Sequence, residues 1–167
     1  AQAGIFISDT DTEGRIYAMS VEHHVRNEVQ LRNVANWKIY DLQMEEESGE
    51  GPHALPVELI NCRNITFANL YLYRVIRMVS PYPCGVQTWS CRDLSFRGAH
   101  VYSPTKFSFD NTLYDRTTGA EVRSREIAKL TVRGQPLSIS GQPPATHPSV
   151  QSAILAPGAR VERVVGG

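Results

Sequence analysis

The chain has 167 residues, the length of one ordinary domain. Hydrophobic residues make up 41% and charged residues 20%, which excludes a disordered chain, and no apolar run approaches the roughly 20 residues of a membrane-crossing helix. Lys and Arg number 17 against 17 Asp and Glu, so the net basic field that nucleic acid or an anionic membrane rewards is missing, and neither is an expected partner.

In chain order, Ile5 to Ser8 and Ile16 to Val25 read as the two strands of a weak first coil. Three gapless, equally long segments follow: VQLRNVANWKIYDLQME (29–45), VELINCRNITFANLYLY (57–73) and VQTWSCRDLSFRGAHVY (86–102). Asn36, Asn64 and Asp93 correspond, so the period is 28 and then 29 residues. In each unit two short stretches alternate apolar and polar, which is the period of a strand with one face buried. Between the stretches stands Asn33, Asn61 or Ser90, then two residues, then Asn36, Asn64 or Asp93. Asn, Asp and Ser bond to nearby backbone, and Asn and Asp also tolerate left-handed conformations, so this is a corner. From Ser103 to Arg125 a polar insertion is expected, then another weak coil at Ile127 to Arg133.

A two-strand unit of this size cannot bury its own face, whereas stacked units can. The expected fold is therefore all-β, a right-handed parallel β-helix over residues 1–133, with each coil closed by a less regular third side. Residues 134–167, rich in Pro, Ser and Gly, are expected to be a tail or linker. Cys62 and Cys91 replace Val34 in the repeat, which predicts two stacked, buried thiols, with a disulfide between coils as the alternative. The three cysteines, Cys84 included, are too few for a disulfide scaffold and lack zinc-ligand spacing, and no metal or cofactor is expected.

The outward positions of the second stretch carry the chemistry. Setting Ile16 against Trp37, Ile65 and Leu94 gives two outward columns: Glu22, Gln43, Tyr71 and His100, then His24, Glu45, Tyr73 and Tyr102. Rings for the apolar faces of sugars, and acids and amides for their hydroxyls, make this strip a candidate saccharide groove. By parity His23 points inward, and Glu46 points inward or sideways unless the strand has ended; Glu46 and Glu47 compete with Glu45 as candidate acids, and parity favours Glu45. A two-residue stagger puts Glu22 and Glu45 roughly 8 Å apart, inside the 6.5–9.5 Å range of inverting glycosidases.

At these residues the chain resembles glycoside hydrolase family 55. GIFISDTDTEGRIYAMSVEHH (4–24) followed by YDLQMEEES (40–48) is similar to that family's V-E-H-H and Q-x-E segments. The family comprises inverting β-1,3-glucanases (laminarinases) built from β-helices. The resemblance implies that Glu45 is the general acid, with Gln43 the preceding amide, and that Glu22 is an active-site carboxylate. It covers about Gly4 to Glu47 and departs after the acid, where the family has Pro and Tyr and this chain has Glu46, Glu47 and Ser48. It also implies a secreted or periplasmic setting. The function expected is an inverting glycoside hydrolase acting on a β-glucan-type polysaccharide. The alternative is a polysaccharide-binding or structural β-helix module without catalysis. The expected protein partner is a larger N-terminal fragment of the same polypeptide, supplying preceding coils.

Overall fold

A computed structural model describes residues 1–47, 54–75, 82–104, 107–132 and 160–162. Every regular element among them is a strand: β1 (Ala3–Thr10), β2 (Gly14–Glu22), β3 (Asn27–Glu46), β4 (Leu55–Ile60), β5 (Arg63–Arg74), β6 (Tyr82–Trp89), β7 (Arg92–Tyr102), β8 (Phe109–Asp115), β9 (Ala120–Val122), β10 (Glu126–Val132) and β11 (Arg160–Glu162). The strands form a parallel β-helix of about four turns. Each turn is a pair, β1 with β2, β4 with β5 and β6 with β7, except the second, which is the single strand β3. The front half of β3 lies between β1 and β4, and its back half between β2 and β5.

The corner at Asn33–Asn36 forms as the repeat predicts. Asn33, Asn36, Asn61, Asn64, Ser90 and Asp93 all have φ between 50° and 65°. Their side chains bond along the helix axis, turn upon turn. Asn61 Nδ2 donates to Asn33 Oδ1 at 2.9 Å, Asn33 Nδ2 to Asp9 Oδ1 at 2.6 Å, and Asn64 Nδ2 to Asn36 Oδ1 at 2.8 Å. Asp9 supplies the corner in the first turn, with φ 55°. Asn33 and Ser8, donating to its carboxylate, hold it below the usual carboxylate range.

A second corner falls inside what reads as one stretch. Ala18, Asp41, Asn69 and Gly98 are also left-handed, with φ from 50° to 65°. Strand pairing passes over this column: Tyr40 pairs Ala68 and Leu42 pairs Leu70. Asn69 Nδ2 donates to Asp41 Oδ1 at 2.8 Å, and at Gly98 a Cβ would lie 2.9 Å from Asn69 Oδ1. Each coil therefore has three strand-bearing sides. The first comprises β1, residues 27–32, β4, β6 and β8. The second comprises residues 14–17, 37–40, 65–68 and 94–97, and the third residues 19–22, 42–46, 70–74 and 99–102.

The core fills the space between these sides. Val29, Leu31, Val57, Leu59 and Val86 enter from the first, Ile39, Ile65, Phe67 and Phe96 from the second, and Leu42, Met44, Leu70, Leu72, Ala99 and Val101 from the third. Burying each large side chain contributes about 1.5–3 kcal/mol. Phe67 and Phe96 stack with centroids 5.4 Å apart. Val34, Cys62 and Cys91 occupy equivalent buried corner positions, and both thiols are free. The Cys91 sulfur accepts from the Cys62 backbone N–H at 3.3 Å.

Two expectations about the far end change. Residues 103–125 are not a polar insertion, because β8 adds a parallel strand to β6 and buries Phe109 and Leu113. Nor do residues 127–133 start a parallel coil, because β10 pairs antiparallel with β7 and β9 antiparallel with β8. Most of the expected tail lies outside the described residues. Its residues 160–162 form β11, antiparallel to β10.

Candidate functional site

The outward positions of the third side form two rows. Ser20, Gln43, Tyr71 and His100 are register partners in one, and Glu22, Glu45, Tyr73 and Tyr102 in the other. Leu42, Met44, Leu70, Leu72, Ala99 and Val101 alternate with them and are buried. The columns through β3, β5 and β7 are the expected ones. The β2 register is shifted by two residues, because Trp37 pairs with Gly14 and not with Ile16. The reason is steric. A Cβ on Gly14 would lie 2.1 Å from the Trp37 indole, whose Nε1 donates to the Thr12 carbonyl at 3.0 Å. Only glycine lets that ring lie flat across the neighbouring strand.

Three assignments change, the first through this shift and the other two where β2 ends. First, Glu22 lies directly beside Glu45, so their Cα atoms are one strand spacing apart, about 4.8 Å. The stagger behind the 8 Å expectation is absent, so the spacing no longer argues for an inverting pair. Second, His24 leaves the face. Strand β2 ends at Glu22, His23 is left-handed at φ 65°, and His24 turns to Glu28. Glu28 is fully buried, and a buried carboxylate demands partners. The His24 backbone N–H donates to Glu28 Oε1 at 3.0 Å, and His24 Nδ1 lies 2.6 Å from Oε2. Third, His23 points outward with its side chain 54% exposed, 3.5 Å from Glu22 Oε2 and 3.5 Å from Glu47 Oε2. Glu46, by contrast, is buried as parity predicts.

The remaining residues come together. Gln43 Nε2 donates to Glu45 Oε1 at 2.9 Å, and Ser20 Oγ donates to Glu22 Oε1 at 2.5 Å. Tyr71, Tyr73, His100 and Tyr102 form one aromatic cluster with centroids 5.9–6.4 Å apart. Partial burial pushes the Tyr73 hydroxyl up, with Tyr71 and the Glu45 charge adding to it. A carboxylate thus stands beside a phenol at the boundary between the acidic and the aromatic halves of the face.

Three residues of this face, Glu126, Ser20 and His23, were not legible as members, whereas Glu47 was a candidate acid. Glu126, opposite His100 on β10, contacts its Nδ1. An antiparallel return strand has no counterpart in a repeat alignment. Ser20 follows from the β2 register, for which the small residue opposite Trp37 was the available signal, whereas His23 lies past the end of β2 on a left-handed backbone.

Chemically, the rings offer flat apolar surface with polar edges. The two carboxylates stand one coil apart, and the amide donates to Glu45 from two residues away on the same strand. No known family, curated protein or solved structure matches the chain.

Proposed function

We propose that this chain carries the saccharide-binding face of a carbohydrate-active β-helix protein, a glycoside hydrolase acting on a β-glucan-type polysaccharide. The observation that carries the reading is the register of the third side. It sets two carboxylates and an amide against four rings on one continuous surface. The family 55 resemblance at residues 4–47 supports the same reading and assigns the reaction. In it the sugar chain lies over Tyr71, Tyr73, His100 and Tyr102, and Glu45 protonates the leaving oxygen. Gln43 holds the Glu45 carboxyl in place, and Glu22 is the second carboxylate. Inversion rests on the resemblance alone, because two in-register strands do not by themselves open the gap for a water. An enzyme of this kind works outside the cytoplasm, secreted or periplasmic.

The test is turnover of a β-1,3-glucan oligosaccharide. Glu45→Gln, nearly isosteric and part-exposed, should abolish release of reducing ends while leaving the thermal midpoint unchanged. Retained turnover refutes Glu45 as the acid. Proton NMR of the first-formed anomer separates inversion from retention. A second reading, a polysaccharide-binding module without catalysis, is favoured by the residues after Glu45, where Glu46, Glu47 and Ser48 replace the Pro and Tyr of the resembled family. It predicts saturable oligosaccharide binding with no cleavage by the wild-type chain.

We also propose that further parallel coils of the same polypeptide, a larger N-terminal fragment, cover the outer edge of β1 and β2. Among the described residues no strand pairs with that edge, and Ile5, Ile7 and Ile16 are only partly buried there. Asp9 and Ala18 keep the corner conformations that a neighbouring coil would match. An uncovered strand edge is an aggregation hazard. Intact-mass measurement with peptide mapping of natively purified material should find the larger fragment. Material containing this chain alone, as a stable monomer, would contradict the proposal.

A further inference from the structure

The first side bears a hollow of about 460 Å³, away from the acid-and-ring face. It forms where β3, β4 and β6 begin, and it is lined by Arg26, Asn27, Glu58, Cys84, Gln87 and Arg116, among others. Its volume falls in the range of small-molecule sites, roughly 300–1,000 Å³.

Glu58 is the informative residue. Gln30, Glu58 and Gln87 are outward register partners on successive coils. An outward side chain on a solvated sheet is normally exposed, yet the Glu58 side chain is only 5% exposed. Its Oε2 accepts from Gln30 Nε2 at 2.5 Å. Among the described residues its Oε1 has two long contacts, a hydrogen bond from Gln87 Nε2 at 3.4 Å and the Arg26 guanidinium at 3.9 Å. A carboxylate oxygen taken out of water and given no short bond is costly to leave so. Two exposed guanidinium groups stand with it: Arg26, and Arg116 held over the Trp89 ring at 4.8 Å. The charged lining therefore has one buried anion and two accessible cations.

We propose that this hollow is a second ligand site, taking a small hydroxylated carboxylate, that is, a sugar acid of monosaccharide size. A hydroxyl of the ligand donates to Glu58 Oε1, while its carboxylate lies against Arg26 and Arg116. Guanidinium groups suit planar carboxylates. Gln87 offers a further amide to the hydroxyls. A neutral sugar would make no use of the two guanidinium charges, and a simple carboxylate would bring no hydroxyl to Glu58.

Calorimetric titration of the full chain with glucuronate, glucose and acetate tests this. Glucuronate should bind saturably, with glucose and acetate each at least about tenfold weaker, a difference of 1.4 kcal/mol. Glu58→Met, which fills similar space and removes the acceptor, should weaken glucuronate at least about tenfold. Arg116→Gln, at an exposed position where folding is not at stake, should do the same. No glucuronate binding, equal binding of glucose or acetate, or unchanged affinity in Arg116→Gln would overturn the site. The Glu45→Gln variant should bind glucuronate here as the wild type does, so this site and the proposed hydrolytic face fail independently.

Discussion

At Asn64 the backbone holds φ 53°, a region that costs most L-residues about 1–2 kcal/mol and that Asn and Gly enter readily. Its amide also donates to Asn36. Asn64→Ala should therefore lower stability by about 2–3 kcal/mol, adding the conformational cost to one lost hydrogen bond. Asn64→Gly should lose only about 1 kcal/mol, and urea unfolding of the two variants gives the order. Cys84 shows the effect of burial on charge. Removal from water, with the nearby Glu58 charge adding, pushes its thiol from 9.0 up to about 12. A folded-state pKa raised in this way contributes stability that is complete below about pH 9 and is lost as pH climbs toward about 12. The Tyr82 hydroxyl, pushed up mainly by burial, acts in the same direction. The urea midpoint should fall between about pH 8 and about pH 10.5, and less steeply in Cys84→Ala. An equal fall in both proteins would show that Cys84 contributes nothing to it.

Among the elements, β3, β5 and β7 share a register because their corner residues repeat without a gap. Asn33 over Asn61 and Asn36 over Asn64 are visible as letters, and so are the outward Gln43, Tyr71 and His100. Strand β2 was less legible, since its corners are Asp9 and Ala18 and no Asn marks them. What fixes it is complementarity of shape, the Trp37 indole over Gly14. Gly14→Ala should therefore push the indole aside and loosen β2, the strand that carries Glu22, without disturbing β5 or β7. Hydrogen exchange should show faster opening of residues 14–22 with residues 63–74 unchanged. The corner at Asp41 was readable in principle. Ile39 and Leu42 are both buried although three residues apart, which breaks the two-residue period. His24 and Glu28 were not readable, because a left-handed His23 ends the alternation and reverses which neighbour faces the core.

Across the whole molecule, stacking gives each side its own chemistry. The second side presents Arg15, Lys38 and Arg97 with the stacked pair Tyr17 and Tyr40, whose centroids are 5.1 Å apart. The third presents acids and rings, and the first holds the hollow around Glu58. This partition follows from one period near 28 residues, and it makes the faces separable by mutation. Whether the third side holds saccharide is read by calorimetric titration of the full chain with a β-1,3-glucan hexasaccharide, comparing wild type, Tyr73→Ala on the third side and Tyr17→Ala on the second. Binding should be saturable, weaken at least about tenfold in Tyr73→Ala and stay unchanged in Tyr17→Ala. No saturable binding by the wild type, or equal affinity in Tyr73→Ala, would contradict a saccharide-holding third side.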